Sequence, residues 1–197
     1  MAALATAVRV SLLVWVGGQI VHADGLEQAD AIVILGGGTV GRAVTAADLY
    51  GPAVVLTIPP QDPVIADLAQ SGYPGQLPTE ARVWFLVGLG VIADAVTVLN
   101  QVVFLTEAEA TLIAEWAAYR AITRVIVVTD AYNSGLARFA FARPVSALDI
   151  EVRVHPSPFG GFDPQRWWCV CVMLREGLFE MLKLFYYRLM YELGRSP

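Results

Sequence analysis

The sequence predicts a three-layer α/β fold with a mainly parallel sheet, and three observations carry that prediction. Short β-branched runs recur along the chain, each is continuously apolar rather than alternating, and helix-period segments lie between them. Continuous apolarity marks strands covered on both faces. Strand–helix alternation at this spacing implies a parallel sheet whose right-handed crossovers lay helices on both sides. The chain has 197 residues, 56% of them hydrophobic, enough for one full core and too few for two comfortable ones. We therefore expect a single domain over residues 24–197, preceded by an apolar segment over residues 1–23.

In chain order, Met1 to Ala23 is apolar apart from Arg9, Gln19, His22 and a few small hydroxyls. Its length is close to the ~20 residues of a bilayer span, and the single early Arg9 suits the cytoplasmic side of an uncleaved signal anchor. That reading comes first; it places the domain on the periplasmic side of a bacterial inner membrane. Gly17, Gly18 and Gln19 weaken the span, and the alternative is a soluble helix covering the sheet of a cytoplasmic protein.

Strands are expected at Ala31 to Leu35, Ala53 to Ile58, Val96 to Leu99, Arg124 to Thr129 and Ile150 to Val154. Val40 to Tyr50 reads as a helix closed by Gly51-Pro52, and Thr79 to Leu89 as one ending at Gly90. Ala108 to Ala121 follows Thr106-Glu107-Ala108-Glu109, a capping-box pattern in which threonine and glutamate satisfy orphan N–H groups. The irregular stretch Pro59 to Pro78 is either a lid or a surface insertion. In the tail Trp167 to Arg195, Leu174, Leu178, Met181, Leu182, Phe185 and Leu189 form an apolar stripe, with Glu176, Glu180, Lys183 and Tyr187 opposite. This predicts a C-terminal amphipathic helix docked on the sheet, or one lying at a membrane surface.

Charge and composition remove several function classes. Lys plus Arg is 13 against 18 for Asp plus Glu, a net charge of −5, which opposes a broad grip on nucleic acid. Cys169 and Cys171 lie in an apolar run; they suit neither a disulfide framework nor a zinc site and read as core residues. No His and carboxylate pair has metal-ligand spacing on one helix face, so no metal is expected.

The densest signal is Ala31-Ile-Val-Ile-Leu-Gly-Gly-Gly-Thr-Val-Gly-Arg42, a buried strand entering a glycine turn and then a helix. Glycines let a ligand approach the backbone, and the first N–H groups of the helix favour an anion. Gly36, Gly38 and Gly41 match G-x-G-x-x-G. A dinucleotide dehydrogenase also needs an acid at the end of the second strand, and here that strand leaves through Ile58-Pro59-Pro60, with Asp62 the nearest carboxylate. A hydrolase needs a nucleophile beside a histidine, yet the only histidines are His22 and His155, and no G-x-S-x-G elbow exists. The remaining candidates lie at strand exits, where parallel sheets bind ligands: Gly36, Gly37, Gly38, Arg42, Thr106, Asp130, Asn133 and His155, with Glu80 at a helix start.

Several segments match in order a known family. Asp30 to Gly38 followed by Arg42, Ala46 and Leu49-Tyr50, then Thr79-Glu80-Ala81, Thr106 to Ala110, Val125 to Thr129, and Leu174-Arg175-Glu176 through Tyr186-Tyr187-Arg188 resemble the SanA/YdcF/ElyC-like family from Asp30 onward. The resemblance implies a Rossmann-like domain binding a small anionic ligand. It also implies S-adenosylmethionine or another nucleotide-like molecule in one branch, and cell-envelope maintenance in another. Ile58-Pro59-Pro60-Gln61 stands where the family carries Ser-Gly-Gly, Asn100 where it carries glutamate, and Asn133 and Leu136 where it carries His-x-x-Arg, with Arg138 a candidate substitute in space.

Each candidate also has a plain structural alternative. Arg42 can clamp a phosphate or pair with Asp48 or Glu80 on a helix surface. Glu80 can be a dipole-stabilised helix-start charge. Thr106 and Asp130 can be helix caps, and His155 a solvated loop residue. Two function classes result: a domain binding a nucleotide-like or envelope-precursor phosphate, with the catalytic group unidentified, and a pseudoenzyme serving as an assembly subunit of a membrane complex.

Overall fold

The computed structural model describes residues 2–36, 40–51, 54–57, 78–99, 101, 103 and 105–194. In chain order the elements are α1 (Ala2–Ile20), β1 (Ala31–Ile34), α2 (Val40–Asp48), β2 (Val54–Thr57), α3 (Pro78–Gly88), β3 (Val96–Val98), α4 (Thr106–Tyr119), β4 (Arg124–Asp130), α5 (Ala131–Ala142), β5 (Glu151–Ser157) and α6 (Cys171–Glu192). The lid or insertion expected from Pro59 lies outside the described residues up to residue 77.

The five strands form one sheet in the order β3-β2-β1-β4-β5, and every pairing is parallel. This is a Rossmann-like order, in which β1 and β4 are neighbours although two strands intervene in sequence. β1 is in register with both partners, Ile34 opposite Thr57 and Val128. The strand direction of chain progression reverses between β1 and β4, which opens a crevice at their carboxyl ends.

Alternation of side chains along β1 and β4 divides the core into two layers. Ile32, Ile34, Ile126 and Val128 pack beneath α2 and α3 with Ala43, Ala46 and Leu86. Val33, Leu35, Val125 and Val127 pack on the other face against Ala110, Ile113 and Ala117 of α4 and Ala137, Ala140 and Phe141 of α5. Each such valine or isoleucine contributes roughly 1.5–3 kcal/mol when withdrawn from water. The three-layer α/β architecture thus follows from the continuous apolar runs.

Among the described residues, no helix is long and apolar enough to cross a membrane, so the anchor reading of residues 1–23 finds no support. One face of α1 is instead docked on the domain. Leu13, Val16 and Ile20 pack with Phe162, Trp167 and Met181, and the Trp167 indole N–H donates to the Leu13 carbonyl at 2.9 Å. Gly17 makes this docking possible, because a Cβ there would lie 2.2 Å from the Pro164 carbonyl oxygen.

The C-terminal helix departs from the sequence expectation in two ways. It packs on α5 and α1 rather than on the sheet, through Leu136, Leu184 and Tyr187. Its buried residues are Gly177, Glu180, Leu184 and Tyr187, whereas Leu178, Leu182, Phe185 and Leu189 of the apolar stripe are exposed. The cause is Gly177, whose missing side chain lets the helix settle onto Trp167, 2.8 Å from where a Cβ would stand. That contact fixes the rotation and turns most of the stripe outward. Cys169 and Cys171, expected in the core, are exposed.

Candidate functional site

The crevice between β1 and β4 is built around the Gly36 peptide. Its N–H donates to Glu109 Oε1 at 2.8 Å, and its carbonyl accepts from Arg42 Nη1 at 2.9 Å. The same Nη1 donates to the Leu35 carbonyl at 3.0 Å. Both backbone polar groups of Gly36 are therefore held by side chains from α4 and α2. This sets the course of the chain as it leaves β1.

Arg42 is not the surface residue its helical position allows. It is buried, and Nη2 donates to Asp130 Oδ2 at 2.7 Å, which commits the guanidinium to the end of β4 instead of the helix surface. Position 42 faces inward because α2 lies over β1 and β4, with Gly41, Ala43, Thr45 and Ala46 buried beside it. Asp130 also accepts from the Tyr132 hydroxyl at 3.0 Å. Burial and the Asp130 charge push the Tyr132 phenol up to about 12. Gly160 covers the other side of the carboxyl group; a Cβ there would meet Oδ1 at 3.4 Å. Arg42 Nε and Asp130 Oδ1 are buried without a partner among the described residues.

Glu109 gives the site its titrating group. Burial pushes its carboxyl up to about 7 against the opposing pull of the Gly36 N–H, Arg42 and Arg82. Arg82, on α3, is the second cation of the site. Burial and then the nearby Arg42 guanidinium lower its pKa, while Glu109 and Asp130 raise it. From α6, Glu180 reaches the same field; burial raises its pKa, and Lys183 and Arg42 act the other way.

The capping box is replaced rather than formed. Leu105 is the N-cap of α4 and no side chain caps it, because Glu109, the expected capping partner of Thr106, turns to Gly36. Thr106 opens the helix without a ligand-like arrangement. Asp130 stands at the N-cap of α5 but makes no side-chain cap hydrogen bond, since its carboxyl group serves Arg42 and Tyr132. Asn133 Nδ2 donates locally to Thr129 Oγ1 at 3.0 Å.

His155 lies within β5, opposite Val128, rather than in a loop, and burial lowers its pKa. Arg138 does not replace a site cation. It faces Asp24 at 3.8 Å and lines a separate cleft between α1, α5 and α6. Glu80 lies in the first turn of α3. Gly37, Gly38 and Asn100 lie outside the described residues.

The structure thus brings together Gly36, Arg42 and Asp130 of the expected set and adds Glu109, Tyr132 and Arg82. Glu109 was visible in sequence only as a helix-start acid; Tyr132 and Arg82 carry no local signal. Among the described residues, no group of His, Cys, Asp and Glu could hold a metal ion. No protein-family model, curated protein or solved structure matches the chain.

Proposed function

We propose that the β1–β4 crevice binds a small anionic ligand over the Gly36 to Arg42 turn and that the domain acts as a binding module. The reading rests on one observation: the Gly36 peptide is gripped at its N–H by Glu109 and at its carbonyl by Arg42. Gly36, held at both its N–H and its carbonyl, stands between the end of β1 and the N–H groups of α2, at the position where parallel sheets take ligands. Arg42 positions Gly36 through its bonds to Leu35, Gly36 and Asp130, and we assign the ligand-facing charge to Arg82, which shares the field of Arg42, Glu109 and Asp130.

Charge supports an anion. When Glu109 takes up its proton, one negative charge leaves the field of Arg42 and Arg82, and binding strengthens as pH falls through about 7. The resemblance to the SanA/YdcF/ElyC-like family adds S-adenosylmethionine, other nucleotide-like molecules and isoprenyl phosphates as compounds to screen, with cell-envelope maintenance as the setting. Native mass spectrometry and thermal shift against these compounds and inorganic phosphate test the reading. The expected result is a ligand whose affinity drops about tenfold or more in Arg82→Gln and whose pH dependence disappears in Glu109→Gln. A chain that binds none of them and co-purifies stoichiometrically with membrane proteins would be an assembly subunit instead.

A further inference from the structure

A cleft of about 350 Å³ lies on the far side of α5, lined by Gly18, Gln19, Val21 and His22 after and within α1, by Gly135, Arg138, Phe139 and Ala142 of α5, and by Leu184 and Arg188 of α6. The α5 residues are spaced i, i+3, i+4 and i+7 and so share one helix face. Gly135 lets α1 end against that face, since a Cβ would lie 2.4 Å from the Ile20 carbonyl oxygen. Apolar side chains alternate with Gln19, His22, Arg138 and Arg188 in its lining, and His22 bonds to the Asp24 carboxylate at 2.9 Å. Arg188 stands 5.9 Å from the Phe139 ring centroid and has no carboxylate within ion-pair distance among the described residues. Arg138 is held only at 3.8 Å by Asp24. In a chain of net charge −5, this is a local reversal of sign.

Helices α1 and α6 also carry exposed apolar residues. On α1, Val8, Leu12 and Trp15 lead at helical spacing to Gly18 and Gln19, and on α6, Leu178, Leu182, Phe185 and Leu189 flank Arg188. Trp15 is 62%, Leu182 65% and Phe185 67% exposed. Two arginines lining a cleft, with exposed aromatic and aliphatic residues on α1 and α6, match an anionic headgroup whose chains continue into an apolar phase.

We propose that this α1–α6 face docks on an anionic lipid surface, with Arg138 and Arg188 receiving the lipid phosphate and Trp15, Leu182 and Phe185 entering the interface. The test is co-sedimentation of the full chain with phosphatidylcholine vesicles, with and without phosphatidylglycerol. Expected are binding that requires the anionic lipid, a loss of about tenfold or more in Arg138→Gln/Arg188→Gln, a loss in Leu182→Ser/Phe185→Ser, and persistence in millimolar inorganic phosphate. Circular dichroism checks that these exposed substitutions leave the fold intact. Vesicle binding unchanged by the arginine pair overturns the proposal, as does absence of binding. Displacement by inorganic phosphate overturns the lipid in favour of a soluble anion, and a dimer dispersed by Leu182→Ser/Phe185→Ser overturns it in favour of a second copy.

Discussion

Arg42 Nη2 lies 2.7 Å from Asp130 Oδ2, with the two side chains 3% and 0% exposed, and this pair joins the exit of β1 to the exit of β4. Desolvating both charges offsets most of their attraction, so the pair contributes little relative to apolar residues of the same volume. Its weight lies in what each partner leaves behind when the other is removed.

Arg42→Met leaves the buried Asp130 carboxylate without its ion-pair partner and frees the Leu35 and Gly36 carbonyls, so we expect it to cost about 3–5 kcal/mol in urea unfolding. Arg42→Met/Asp130→Leu should cost clearly less than the sum of the single changes. A single Arg42→Met variant within about 0.5 kcal/mol of the parent would show that the pair does not organise the crevice.

Glu109 makes stability depend on pH with a defined sign. Its folded-state value of about 7 lies above the ordinary 4.5, so the folded state holds the extra proton across that window. Stability from this group is fully present below about 4.5 and is lost as pH rises through about 7, by roughly 2–4 kcal/mol. Glu109→Gln keeps an oxygen for the Gly36 N–H and removes the titration. His155, lowered by burial from 6.5, contributes the opposite slope below that value, and subtracting the two unfolding-against-pH curves cancels it. A flat difference curve between pH 4.5 and 7 would remove Glu109 from its buried position.

Much of the fold could be read from the chain because a strand covered on both faces needs only local information. Ala31 to Leu35 and Arg124 to Thr129 announce themselves as continuous apolar runs. The pattern predicts a strand ending at Val154, since His155-Pro156 reads as a loop, whereas β5 runs to Ser157; Pro156 is tolerated because β5 lies at the edge of the sheet beside β4 and an edge strand can lack an N–H. The site was less legible. Gly36 and Glu109 are 73 residues apart and Arg42 and Asp130 are 88 apart, so neither contact leaves a local pattern. Glu109 fitted a capping box equally well, and only the chain crossing decides which N–H it meets.

The glycines of α1 and α5 separate packing from propensity. Gly17→Ala would drive a Cβ into the Pro164 carbonyl and Gly135→Ala into the Ile20 carbonyl. Both obstacles are backbone, and each variant should lose about 1–3 kcal/mol or shed α1 from the domain. Gly18→Ala meets nothing within 4 Å and should gain about 0.5–1 kcal/mol from helix propensity. Thermal melts of the three variants decide the matter; equal effects at Gly17 and Gly18 would mean that α1 is not seated on Trp167 and Pro164.

Glu180 lies on the buried face of α6 although the apolar stripe predicts the opposite face. Placing Gly177 on Trp167 carries positions 180, 184 and 187 inward with it, three and four residues apart on one helix face. Glu180 is thereby buried although its residue type favours water; Oε1 accepts from Lys183 Nζ at 2.7 Å, and Oε2 has no partner among the described residues. A half-satisfied buried carboxyl costs more than it returns. Glu180→Met should therefore leave stability unchanged or raise it by about 1 kcal/mol at neutral pH. Lys183→Met, which withdraws the hydrogen-bonding cation, should lower it, with the loss growing as pH rises because burial has raised the Glu180 carboxyl above its ordinary range. Chemical denaturation at pH 5 and pH 8 checks the pair. A destabilising Glu180→Met together with a silent Lys183→Met would mean that the apolar stripe, and not Glu180, faces α5.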